Sequence, residues 1–321
     1  MLLNLRGLSP PLLAPLFSIV QWRYARETLF RSRTTFVVLA LGLLACSSEA
    51  PPVTSGGGAP VYSPPSGSGS GGCTSSSAPH PVGTTCVTTV HGQLIDSANA
   101  PVTAPVSVCG GSVLCVGSAA DEGLFHVTVN KFVDLSTFVL HVYGHPHHGD
   151  MITRLERATT SEITLNALPR VPRIDFKGDV VPPTAASSSV VRSGPVELTL
   201  AAGTTTEVAS AHENTRELLA GAVPDAVKWD DGIVALFAVG PFGARFSKVA
   251  AVALTLPDAA GVADGTTLDL VILQDDLTDG HTAGTLMKVG SATVTKGVAR
   301  SVAGAGIDRL TWVGVRVPKG G

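Results

Sequence analysis

CVTTVHGQLI, residues 86–95, reads as a β-strand, and the segments on either side of it share its period. Val and Thr, which suit a pleated, half-buried surface, dominate it, and its faces alternate. Asp96 to Ala100 turns the chain, and Pro101 to Cys109 follows as a second strand. Ala120-Asp121-Glu122-Gly123 is a turn leading into Leu124-Phe125-His126-Val127-Thr128-Val129. Thr137 to Tyr143 reads as another strand, and Glu162-Ile163-Thr164-Leu165 closes the unit. A period of two recurs along the chain, so the expected class is all-β.

Charged residues make up only 15% of the 321 residues. Five of the 22 basic residues and one of the 25 acidic ones precede Cys46, which leaves 17 against 24, a formal charge of −7 on the remainder. That balance excludes a nucleic-acid partner, which needs a basic footprint. Beyond Cys46 four cysteines remain, Cys73, Cys86, Cys109 and Cys115. An even number in an oxidising compartment reads as two disulfides, for which three pairings exist. The preferred one joins Cys109 to Cys115, because VSVCGGSVLC reads as a tight Gly-Gly hairpin, and so leaves Cys73 with Cys86. A four-thiolate zinc site needs pairs of cysteines a few residues apart, which spacings of 13, 23 and 6 do not supply.

The segments VHGQLIDSANAPVTAPVSV, DEGLFHVTV and STFVLHVYG together resemble a carboxypeptidase regulatory-like domain. Gly92, Asp96, Pro101, Val102, Gly123 and Phe125 carry the resemblance, while Pro105 replaces the usual small residue. It implies a transthyretin-like β-sandwich over residues 73–169, a fold used as a spacer or binding module. Residues 170–318 form the second unit. There ALFAVGPFGARFSKVAAVALTLP resembles the β-sandwich domain of ankyrins and netrin receptors, in which a G-P-x-G-x-x-F turn leads into a buried strand. Gly304, Gly306, Ile307 and Trp312 also resemble the ending of certain bacterial extracellular modules, and Val249 stands where the turn usually has proline. The implied role is again mechanical or interactive. Strands are expected at Pro195 to Leu200, Ile233 to Val239, Ala250 to Leu256, Thr267 to Leu273 and Leu310 to Val315, with a short helix or irregular insertion over Ala211 to Ala222.

Upstream, RSRTTFVVLALGLLAC, residues 31–46, places two arginines before an apolar run. Thr34 to Ala45 spans about 18 Å as a helix, against the ~30 Å of a bilayer core. A basic flank, a short apolar core and a small-residue exit make a secretion signal. Leu43-Leu44-Ala45-Cys46 resembles a bacterial lipobox, which implies a diacylglycerol on Cys46 as the first mature residue. Acyl chains hold a protein on a membrane at about 0.8 kcal/mol per buried methylene. Ser47, in place of Asp, points to outer-membrane delivery within that family. Residues 31–45 are then the signal peptide. Residues 1–30, MLLNLRGLSPPLLAPLFSIVQWRYARETLF, are expected to lie upstream of the true start, the alternative being an extended cytoplasmic leader. Residues 46–72 are the lipidated cysteine and a Gly/Ser/Pro-rich linker whose ends sit roughly 30 Å apart. Residues 319–321 are a tail. The expectation is therefore two β-sandwich domains behind a signal peptide and a linker.

The richest polar cluster is His141-Val142-Tyr143-Gly144-His145-Pro146-His147-His148-Gly149-Asp150. His141, His145, His147, His148 and Asp150 are the candidate metal ligands, since imidazoles and a carboxylate suit zinc, copper or nickel. His141, His145 and His147 would share one strand face, though Pro146 and two glycines favour an exposed loop. Asp275, Asp276 and Asp279 lack the spacing and distal Glu of a calcium loop. His212-Glu213-Asn214-Thr215-Arg216 begins like a zinc protease helix, but Arg216 stands where the second histidine is needed. No G-x-S-x-G elbow or phosphate-binding loop occurs. Hydroxyisourate hydrolases, which share the transthyretin fold, end Tyr-Arg-Gly-Ser, whereas this chain ends Pro-Lys-Gly-Gly. Trp229 and Trp312 are candidates for stacking on sugars, with core positions as the plainer reading. The sequence thus points to a non-catalytic envelope lipoprotein without cofactor. Its expected partners are the membrane, through Cys46, and an envelope protein or glycan. Glycan or peptide recognition by sandwich-end loops is one alternative, and a metal-dependent enzyme built on the histidine cluster is the other.

Overall fold

Thr85–Gln93, strand β1, grows from the stretch above and is the centre of the first of two sheets that face each other. The computed structural model describes residues 73, 82–110, 114–155, 161–165, 169–208, 216–224, 232–277 and 282–319. The leader, Cys46 and the whole of the linker lie outside the described residues. After Ile95–Asp96 (β2) come Ala104–Gly110 (β3), Leu114–Ala120 (β4), Leu124–Val133 (β5), Val139–Val142 (β6), Met151–Arg154 (β7), Glu162–Leu165 (β8) and Arg170–Val171 (β9). One sheet has the order β5-β1-β8 and the other β4-β3-β6-β7. Strand β8 runs parallel to β1, and β9 parallel to β2. Val90, Phe125, Val127, Val106, Val108, Leu140 and Val142 fill the space between the sheets.

The rest of the chain forms Phe176–Val180 (β10), Ser189–Ser193 (β11), Val196–Leu200 (β12), Thr206–Glu207 (β13), Glu217–Ala222 (β14), Ile233–Gly240 (β15), Arg245–Thr255 (β16), Thr267–Leu273 (β17), Leu286–Thr295 (β18), Val298–Ser301 (β19), Ile307–Arg309 (β20) and Trp312–Arg316 (β21). They make a 12-stranded sheet in the order β10-β14-β15-β21-β17-β18-β19-β16-β12-β11, with β13 and β20 also on β16. This sheet curls until its two ends meet. Arg192 N donates to Asp179 Oδ2 at 2.8 Å, and Ser193 Oγ to the Phe176 carbonyl at 3.2 Å. Gly178 lies at the seam, where any Cβ would overlap the Arg192 carbonyl. The molecule is thus all-β, a sandwich followed by a near-closed barrel. Among the described residues no helix is long and apolar enough to cross a membrane.

Residues 217–222 depart from the helix or irregular insertion expected there. Glu, Leu and Ala favour helices, but Leu218, Leu219 and Ala220 are buried between β10 and β15, and sheet pairing overrides local propensity. Residues 211–215 lie outside the described residues. Thr137 to Tyr143 begins with a 3-10 turn at Leu135–Thr137 and becomes a strand only over Val139–Val142.

Several strands are buried on both faces, which positions the site. In β15, Ala235, Phe237 and Val239 face the barrel interior, while Leu236 and Ala238 belong to the core of the first sandwich. Val313 and Val315 of β21 likewise point inward, and Trp312 outward. On the opposing side Val139, Leu140, His141 and Val142 are all buried. Strand β6 is therefore covered by β5-β1-β8 on one face and by the barrel on the other, while edge strand β4 stays open on its outer face.

Candidate functional site

Where β6 meets the barrel, the chain brings its polar side chains together. Burial of a carboxylate requires donors, and Asp150, 5% exposed, has one in Gly144 N at 2.9 Å. That bond turns the chain out of β6 just after Tyr143. The other Asp150 oxygen sits 3.5 Å from His141 Nε2. The His141 ring lies 3.9 Å from that of Tyr143 and 6.2 Å from that of Phe242, in the turn between β15 and β16. Among the described residues, neither buried ring nitrogen of His141 has a hydrogen bond. The Asp150 carbonyl accepts from Trp312 Nε1 at 2.6 Å, which ties the loop to the barrel.

A second carboxylate holds the far side of the same loop. Asp96 Oδ1 accepts from Ala98 N at 2.8 Å and Ala100 N at 2.9 Å, and closes the turn in which Asn99 has a φ of 63°. Its Oδ2 faces His148 Nε2 at 3.8 Å and Arg173 Nε at 3.7 Å. Burial pushes the His148 pKa down, against the opposing pull of Asp96. Gly149 N donates to the Pro172 carbonyl at 2.7 Å, and Ile174 N to the His147 carbonyl at 3.0 Å. The loop is thus paired along the connector between sandwich and barrel. A Cβ on Gly149 would come within 2.5 Å of Ala238 Cβ.

The five candidate ligands do not converge. His141 and Asp150 form one pair, His148 joins Asp96, His147 is exposed and His145 is half-buried. Because β6 ends at Val142, strand alternation does not carry on to His145 and His147. Among the described residues, no group of three His, Cys, Asp or Glu side chains is placed to hold a metal ion. In the acidic loop, Asp275 is engaged by Arg309 at 3.0 Å, and Asp279 lies outside the described residues. Arg309 also bonds Asp308 at 3.0 Å, which holds that carboxyl below the usual range. Trp312 is fully buried, so it is no sugar platform; Trp229 lies outside the described residues. Of the protease-like stretch only Arg216 is described, and its Nη2 donates to the Thr206 carbonyl at 2.7 Å.

Disulfides join Cys73 to Cys86, with Cα atoms 5.7 Å apart, and Cys109 to Cys115 at 4.1 Å. Cys109 and Cys115 are directly opposite each other across β3 and β4. Two groupings were missed from the sequence. Ser107 Oγ lies 3.7 Å from Cys109 Sγ and 3.3 Å from the Tyr143 hydroxyl. The i, i+2 spacing of Ser107 and Cys109 was the available signal. The other is His91, whose Nε2 is 2.7 Å from Thr164 Oγ1 and whose Nδ1 is 3.6 Å from Glu162 Oε1. It stacks parallel to His126, ring centroids 6.1 Å apart. Burial, then the Glu162 charge in opposition, then His126 set its pKa, and the net direction is down. No family model, no curated protein and no solved structure matches the chain.

Proposed function

We propose that this chain is a lipid-tethered protein of the bacterial cell envelope that works as a structural or partner-binding module and not as a catalyst. The observation that carries the reading is that three buried carboxylates, Asp96, Asp150 and Asp269, are engaged within the fold. Asp150 is bonded to Gly144 and Asp96 to its own turn, and Asp269 lies 2.7 Å from Lys288 and 3.6 Å from Arg316. Asp96 and Asp150 held this way fix the backbone of their turns, and Asp269 ties β17 to β18 and β21. The resemblances to a carboxypeptidase regulatory-like domain and to the ankyrin and netrin-receptor sandwich support a spacer or binding role. The lipobox-like Leu43-Leu44-Ala45-Cys46 supports an anchor at Cys46, in the outer membrane by virtue of Ser47. The partner in this reading is an envelope protein or a glycan, met by the sandwich and barrel held clear of the lipid by residues 47–72.

The test is intact mass spectrometry of the protein made in a Gram-negative host, before and after metal-free desalting. The expected result is a diacylated N-terminus at Cys46, a four-hydrogen deficit from two disulfides, and no retained metal. An unmodified Cys46 with the leader still attached overturns the localisation. One tightly held metal ion per chain would favour the enzyme reading built on the cluster His141, His145, His147 and Asp150 instead.

A further inference from the structure

The two disulfides sit in different surroundings. Cys73 and Cys86 are both half-buried, whereas Cys115 is exposed on edge strand β4 and its partner Cys109 is 2% exposed. Only one sulfur of the second pair is therefore open to an incoming thiolate. The buried sulfur has a hydroxyl beside it. A disulfide sulfur carries no proton, so Ser107 Oγ–H is the donor across the 3.7 Å to Cys109 Sγ. The Tyr143 hydroxyl then donates to Ser107 Oγ across 3.3 Å, and Tyr143, 40% exposed, reaches solvent. A donor relay thus runs from water to the sulfur that would leave.

We propose that Cys109–Cys115 is a thiol–disulfide exchange site, opened by a dithiol that attacks Cys115 while Cys109 departs as a thiolate stabilised by the Ser107 hydroxyl. The dithiol's first thiolate bonds to Cys115 Sγ, the Cys115–Cys109 bond breaks, and its electron pair goes to Cys109 Sγ. The dithiol's second thiolate then displaces Cys115 from the mixed disulfide. The reagent ends as a disulfide, Cys109 and Cys115 as two thiols, and the two protons given up by the dithiol end on the two cysteines. Exchange rates depend on which sulfur is attacked, on access, and on how well the leaving thiolate is stabilised, and here access and stabilisation favour the same direction. Hydrogen bonds to ionised groups are about twice as strong as neutral ones, so Ser107 acts mainly on the departing thiolate.

The full-length oxidised chain is treated with N-ethylmaleimide to block free thiols, then with dithiothreitol for increasing times. It is quenched with iodoacetamide and mapped by peptide mass spectrometry. Cys109–Cys115 is expected to open about tenfold faster than Cys73–Cys86, and Ser107→Ala to slow that opening about tenfold without changing the other pair. Tyr143→Phe keeps the ring against His141 and is expected to slow it less, which keeps the test decisive if Ser107→Ala does not fold. With glutathione in place of dithiothreitol, the trapped mixed disulfide is expected on Cys115. Equal opening rates for the two pairs, glutathione on Cys109, or a Tyr143→Phe rate equal to that of the unaltered chain would each overturn the proposal.

Discussion

Strands Leu124–Val133 and Val139–Val142 belong to facing sheets of one sandwich, yet their burial follows different rules. In β5, Phe125, Val127 and Val129 are buried while Leu124, Thr128 and Asn130 are exposed, as expected of a strand with one face in water. In β6 all four residues are buried, His141 among them. The barrel supplies the second cover through Trp312, Ala238, Leu273 and Ala283. The two ends of the histidine segment, His141 and Asp150, therefore lie in a packed interface between sandwich and barrel.

The largest effect is expected at Trp312. Trp312→Ala removes the largest fully buried side chain and should cost about 3–5 kcal/mol, seen as a fall of roughly ten degrees in melting temperature. Trp312→Phe leaves the Asp150 carbonyl without its indole donor and should cost about 1–3 kcal/mol. Next comes Gly149→Ala, whose new methyl meets Ala238 and should cost about 1–3 kcal/mol in urea unfolding. The double variant with Ala238→Gly should recover part of that loss, whereas additive losses would place the two residues apart.

A smaller effect is expected from pH. His91 and His148 are held below the ordinary histidine value of 6.5, so the native state binds fewer protons than the unfolded chain. Their contribution is present above pH 6.5 and is lost as pH falls through the lowered native values. Unfolding midpoints measured at steps of falling pH should therefore decline. The decline should be shallower in His91→Gln and His148→Gln, and an unchanged slope in both would remove these residues from the account. The smallest effect belongs to β5, where Leu124→Thr, on the open face, should stay within about 0.5 kcal/mol.

Much of the strand order could be read locally. Thr267 to Leu273 is the strand the sequence suggests, to the residue, and Phe138 to Val142 is apolar apart from His141, as suits a strand covered on both faces. Glu217–Ala222 could not be read so, because its helix-forming residues are extended only by neighbours far along the chain. The contacts of the histidine segment could not be read for the same reason. Its loop signals are genuine, but Trp312 and Asp150 are 162 residues apart, and no local pattern announces that contact. The preferred cysteine pairing, by contrast, rested on a hairpin whose two ends are six residues apart, within reach of local reading.

Strand β6 and Trp312 of β21 lie in one core that joins sandwich to barrel, beside the core inside the barrel. Native-state hydrogen exchange in low urea tests it most directly. The slowest amides of Val139–Val142 and of Trp312–Arg316 are expected to exchange with the same opening free energy and the same urea dependence, as parts of one cooperative unit. Strand β6 amides exchanging through a markedly cheaper opening, while those of β21 stay protected, would contradict it.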